Sequence, residues 1–270
     1  MKAIYLMPLG YFLATRVPGA IASISWVAVY VIPLLLVGSL AQLPIIDTLA
    51  IQLLSIATVY AVYEVGYLQN DALTTRGEAS PTLRLSPDEM DNVRRRFTVI
   101  ALVRAVIVIL LLALLYQMDP PGMQGLLVSL AILIPTFVIY NLTRGAINVP
   151  LHFLLVSLRF CAPVLVLIPY PDATLLLYLI LLFPLINTLE RAAEPRYGLR
   201  WAQANPLANQ SSGRWQYYLG LGALWSVTCV GLDVNVMTLV PIAYLFAYRL
   251  LSPTALSRLV RSGRGGEADQ

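Results

Sequence analysis

Of 270 residues, 59% are hydrophobic and 12% charged, and the mean hydropathy is +0.75; soluble domains run to roughly 25% charged and 45–50% apolar. Such a composition excludes a soluble globular domain and makes the lipid bilayer the solvent. The net charge of +4 and the pI near 9.1 follow from cations placed by membrane topology, so no nucleic-acid partner is expected.

Taken in chain order, the first apolar run is AIYLMPLGYFLAT, residues 3–15. It has the look of a signal-peptide core, but Arg16 interrupts it before any cleavage point, so an uncleaved interfacial or re-entrant helix is expected. A helix needs about 20 mostly apolar residues to cross the hydrocarbon. The chain offers eight such stretches, at about 20–41, 46–69, 97–117, 123–143, 147–168, 172–189, 215–232 and 235–252. The expected fold is therefore all-α: one polytopic membrane bundle over 1–252 with eight transmembrane helices, or nine. Residues 253–270 read as a flexible cytoplasmic tail.

The cations alternate with the spans. Lys2, Arg16, Arg76, Arg84, Arg94 to Arg96, Arg144, Arg191, Arg196, Arg200, Arg214, Arg249, Arg258, Arg261 and Arg264 fall on one side, and Asp47, Asp119, Asp172 and Asp233 on the other. Because Lys and Arg near helix ends are retained in the cytoplasm, both termini should be cytoplasmic, in a bacterial inner membrane. Cys161 and Cys229 fall inside spans and read as small apolar groups.

Ionisable residues inside spans are costly and normally face the protein interior. On the second span Tyr60, Glu64, Tyr67 and Asp71 are spaced i, i+4, i+7 and i+11, which is one helical face. The sixth ends in LINTLERAAEPRYGLR, where Asn187, Glu190 and Glu194 share a face. Aligning Asp71 with Asn187 places Thr74 on Glu190 and Glu78 on Glu194, four spans apart, as a duplicated four-helix unit would produce. The active face would then be built from loops 70–96 and 190–214, with the segment from Pro195 to Arg214 as a lid or a plain connector.

Asn70-Asp71, Thr74 and Glu78 occupy the spacing of the NDxxDxxxD motif of the UbiA superfamily of intramembrane prenyltransferases, and Asn187, Glu190 and Glu194 that of its second motif, DxxDxxxD. The segment SPTLR at 80–84, and Tyr140 with Arg144 in YNLTR, also resemble family positions. Departures are Thr74 in place of Asp, and Glu in place of Asp at 78, 190 and 194. The resemblance implies Mg²⁺ held by Asn70, Asp71, Glu78, Asn187, Glu190 and Glu194, with Asp71, Glu190 and Glu194 as catalytic acids. It places Glu64, Tyr67, Thr74, Arg76, Arg84, Tyr140, Arg144, Arg159 and Arg196 at the substrate, and puts an isoprenoid tail in a greasy cavity between helices. Its activity is transfer of a prenyl group from a polyprenyl diphosphate to an acceptor with release of pyrophosphate. One branch instead uses a polyprenyl phosphate as acceptor and phosphoribosyl pyrophosphate as donor. The expected partners are the polyprenyl (di)phosphate lipid, a small-molecule acceptor or donor and the bilayer, with a homo-oligomer left open. From outside enzymology, a small cation-coupled transporter would also place acids among its spans, though nearer the midplane.

Three interior residues call for a reading of their own. Arg159 in the fifth span would hold a phosphate or acid, or pair with a residue such as Glu64; Arg104 would snorkel to the interface; His152 reads as packing. Tyr60, Tyr63 and Tyr67 would line a prenyl channel or simply pack between helices.

Overall fold

The computed structural model describes residues 2–41, 43–74, 83–210 and 212–265, with side chains as far as Ser252. Among these there is helix and no strand. The chain divides into two compact units, Met1–Thr188 and Leu189–Gln270.

The first unit opens with a short turn, Ala3–Tyr5, and a two-turn helix, α1 (Gly10–Thr15). Four long helices of membrane-spanning length follow α2 (Ala20–Gly38): α3 (Ile45–Thr74), α4 (Pro87–Gln117), α5 (Met123–Leu142) and α6 (Asn148–Leu165), making five with α2. Next come α7 (Ala173–Leu182) and α8 (Pro184–Ala192), an apolar pair bent by 46°, which is the geometry of a broken span or of a re-entrant loop. Asp172 starts α7 by accepting from the Leu175 N–H at 2.7 Å. The bend falls at Pro184, which has no N–H to carry the helix through. Chain polarity therefore matches an integral membrane protein, with five helices long and apolar enough to cross and a sixth if the bent pair counts as one. The last two expected spans are also helical, in the second unit.

α3 is the centre of this unit, packed on α2, α4, α5 and α6. Its core contacts are apolar and aromatic: Ile51, Val59 and Tyr63 against Leu115 of α4, Leu126, Leu130, Leu133 and Phe137 of α5, and Leu155 and Ala162 of α6. Close approach needs Gly66, whose missing Cβ would lie 2.4 Å from the Phe137 ring. By contrast α4 leaves Val99, Leu102, Val106, Ile109 and Leu110 exposed, an outward row fit for lipid. α4 begins ten residues before the expected apolar run, because Ser86 and Glu89 form a reciprocal cap with Pro87 in the first turn.

The second unit starts with three short turns, Pro195–Tyr197, Arg200–Gln203 and Pro206–Ala208. Two helices follow and pack on each other, α9 (Gly213–Gly231) and α10 (Leu239–Gly265). Tyr218, Leu221, Trp225, Ile242 and Leu245 are buried between or beside them. The Trp225 indole donates to Thr238 Oγ1 at 2.9 Å.

Candidate functional site

The site is built on the last turns of α3, and its first partner comes from the start of the chain. Arg104 of α4 is fully buried and donates to Glu64 Oε2 at 2.8 Å, to the Ala61 carbonyl at 3.2 Å, and to the Tyr5 and Met7 carbonyls at 2.7 and 3.3 Å. Glu64, equally buried, accepts from the Phe12 backbone N–H. Thus one ion pair inside the bundle fastens residues 5–12 to α3 and α4. Arg104 does not snorkel, because Glu64 and three backbone carbonyls satisfy its charge in place.

That fastening brings Tyr11 and Arg16 to Asp71. The Tyr11 hydroxyl donates to Asp71 Oδ2 at 2.7 Å, and Arg16 Nη2 lies 3.0 Å from Oδ1 and 2.9 Å from Oδ2. Asn70 Nδ2 is 3.3 Å from Oδ1, and Arg84 Nη1 is 3.6 Å from the same oxygen. Asp71 is only 1% exposed. Its turn, Asn70–Thr74, is wound as a π-helix, a local widening common at functional sites. Thr74 Oγ1 donates to the Asn70 carbonyl at 3.1 Å, and Arg94 Nε donates to the Ala72 carbonyl at 2.9 Å, closing the helix end. Burial first, and then the Asp71 carboxylate, push the Tyr11 phenol above its ordinary pKa, so it remains a donor. Burial and the nearby Arg16 cation lower the Arg84 pKa, against the opposing pull of Asp71.

Tyr67 joins this group to Arg159. The Arg16 guanidinium carbon lies 4.2 Å from the Tyr67 ring centroid, while the Tyr67 hydroxyl accepts from Arg159 Nη1 at 3.2 Å. Arg159 is 8% exposed and is caged by rings, with its guanidinium carbon 4.7 Å from Tyr63, 5.5 Å from Tyr30 and 5.7 Å from Tyr60. Of the two expected roles for Arg159, pairing with Glu64 is ruled out, since that carboxylate belongs to Arg104.

The remaining expected residues are dispersed. Arg144 donates to the Asn141 and Thr143 carbonyls at 2.7 Å and reaches the Thr74 carbonyl at 3.4 Å. Tyr140 stands beside Phe137 and His152, and His152 Nε2 is 3.0 Å from Asn187 Oδ1. Arg76 and Glu78, with Ser80, lie outside the described residues. In the second unit, Arg214 forks onto Glu190 through Nε and, at 2.6 Å, through Nη2. Glu194 is held by Arg191 and Arg196, each at 2.6 Å.

Every described acid of the two expected motifs therefore has an arginine on it. Among the described residues, no group of three or more His, Cys, Asp or Glu stands together to hold a metal. Of the Mg²⁺ set implied by the resemblance, Asp71 accepts from Arg16 and Tyr11, Glu190 from Arg214, and Glu194 from Arg191 and Arg196, so a metal on these three would have to displace those donors; Glu78 lies outside the described residues. A cavity of about 330 Å³ does open between α3, α4 and α5, lined by Val62, Val65, Ala105, Val108, Leu133 and Phe137 among others. Its α3 residues lie on the helical face opposite Asp71, so it is a lateral recess and not a channel leading from that carboxylate.

Sequence spacing brings out Glu64, Tyr67 and Asp71, but gives no sign that Tyr11 and Arg16 are the partners of Asp71 across more than 50 residues. The only available signal is an Arg closing an apolar run near the N-terminus. No family model, curated protein or solved structure matches the chain.

Proposed function

We propose that the chain is an integral membrane transferase of UbiA type that acts on the phosphate end of a polyprenyl diphosphate, passing the prenyl group to an acceptor and releasing pyrophosphate. The observation that carries this reading is the Asp71 group: three arginines, Arg16, Arg84 and Arg159, stand around or one ring away from a single buried carboxylate. Guanidinium forks are the side chains best suited to phosphate oxygens. In this reading Arg16 and Arg84 bind and orient the phosphate, Asp71, itself bonded by Tyr11, holds Arg16, and Tyr67 spaces Arg16 from Arg159. The aromatic residues Phe12, Trp26, Tyr60 and Tyr67, within 4.9 to 6.4 Å of one another in successive pairs, give the isoprenoid an apolar wall with ring faces toward cationic charge. The cation partition supports a site at the cytoplasmic side, with both termini there.

Phosphoribosyl transfer to a polyprenyl phosphate is the second reading. Three cations against one carboxylate leave an excess of two, which suits a phosphomonoester dianion. A cation-coupled transporter is disfavoured, because arginines at the acids would repel the ion it carries.

The test is turnover by the purified chain in lipid nanodiscs. A labelled prenyl diphosphate supplied with candidate acceptors, or labelled phosphoribosyl pyrophosphate supplied with polyprenyl phosphate, should release pyrophosphate and move label into a lipid product. Release in neither assay would sink the proposal, and the label that moves decides between the readings.

A further inference from the structure

The Asp71 group holds more positive charge than it uses. Within the first unit, Arg104 is matched by Glu64, but Arg16 and Arg84 share Asp71, and Arg159 bonds the neutral Tyr67 hydroxyl with no carboxylate on it among the described residues. The sequence of residues 75–82 has one Arg and one Glu, a formal net charge of zero. Uncompensated charge inside a membrane bundle is expensive, so an anionic occupant is expected. Two N–H positions are ready for it: Arg16 Nη1 and Arg159 Nε are buried without a hydrogen-bond partner among the described residues. The same Tyr67 side chain touches both arginines.

Asp71 is in the opposite condition. Oδ2 accepts from Tyr11 and Arg16, and Oδ1 from Arg16 and Asn70 with Arg84 beyond. A divalent cation would have to displace those donors and then sit beside guanidinium groups that repel it.

We propose that Asp71 is the internal counter-ion that positions Arg16 and that the phosphate end of the lipid docks directly on the guanidinium groups of Arg16, Arg84 and Arg159, with no divalent cation between them. The proposal rests on the reading of this site as a lipid-phosphate site. Asp71 is thus a positioning residue, and the phosphate takes the free N–H edges that it leaves.

The experiment measures binding of farnesyl phosphate, and separately of inorganic phosphate, to the full chain in zwitterionic nanodiscs, with EDTA and with excess MgCl₂. Farnesyl phosphate should bind with a Kd within about twofold under the two conditions, and about tenfold or more tighter than inorganic phosphate. Arg16→Gln should weaken it about tenfold, and Arg84→Gln, on a partly exposed connection, should weaken it while leaving thermal stability unchanged. Asp71→Asn, which loosens the hold on Arg16, should weaken binding modestly and to the same degree with EDTA and with MgCl₂. Binding that appears only with Mg²⁺ and disappears in Asp71→Asn overturns metal-free docking but leaves the lipid-phosphate reading standing. Equal affinity for the two probes overturns the lipid part. No binding in any condition overturns both.

Discussion

Arg104 is buried without any exposure, yet its guanidinium makes four hydrogen bonds, to Glu64, Ala61, Tyr5 and Met7. Removing one partner of such a pair leaves the other charged in a place it cannot hydrate. Arg104→Met should therefore cost about 3–5 kcal/mol of unfolding free energy, measured by denaturant titration in detergent. Adding Glu64→Leu should recover part of that loss, because the stranded carboxylate goes with it; additive losses would show that the two residues act separately. The same single variant should also weaken lipid-phosphate binding, since the segment carrying Tyr11 and Arg16 is fastened through Arg104. At this scale the sequence discloses types and faces but not partners. Glu64 and Asp71 announce themselves as polar residues on an apolar helix, whereas their cations Arg16 and Arg104 sit just past α1 and on α4, at separations that no local period encodes. Arg104 looks from its position like a residue near a helix end, and only the arrival of the N-terminal carbonyls makes the interior a better place for it than the interface.

Helices are legible where apolar length decides them and less so where caps or breaks do. The stretches at 123–143 and 147–168 match α5 and α6 to within a few residues. α4 begins at Pro87 because of Ser86 and Glu89, a polar signal outside any hydropathy window. The expected span over 172–189 is broken at Pro184, whose place inside an apolar run hides its effect. How closely two helices approach is also absent from hydropathy, and Gly66 shows the point. Its backbone meets the Phe137 ring so closely that a methyl group would stand 2.4 Å from a ring carbon. Gly66→Ala should therefore separate α3 from α5 at this crossing and destabilise the protein by about 1–3 kcal/mol, despite Ala's better helix propensity. Thermal unfolding of Gly66→Ala beside Gly66→Ala/Phe137→Leu checks the cause. The double variant should regain stability if the ring is the obstacle, and a stabilised single variant would refute the close approach.

For the molecule as a whole, composition fixes the solvent, and among the described residues the helices long and apolar enough to cross it are five, or six if the bent pair is one span. The proposed cytoplasmic placement of the Asp71 end of α3 rests on the cations: Arg84 and Arg94 to Arg96 follow that end, and the connection between α6 and α7 has an Asp and no Lys or Arg. With α4, α5 and α6 each crossing, as their length and apolarity allow, three crossings separate Arg95 from Tyr170 and the two positions should lie on opposite sides of the membrane. Both native cysteines are buried, and Tyr170 is 90% exposed, which makes single-cysteine labelling clean. In intact cells an impermeant maleimide should modify Tyr170→Cys and should reach Arg95→Cys only after permeabilisation. The reverse pattern would put the arginines outside, and a phosphate donor from cytoplasmic metabolism could not then reach them. Labelling of both sites from outside would contradict the odd number of crossings, and with it the assignment of α4, α5 and α6 as spans.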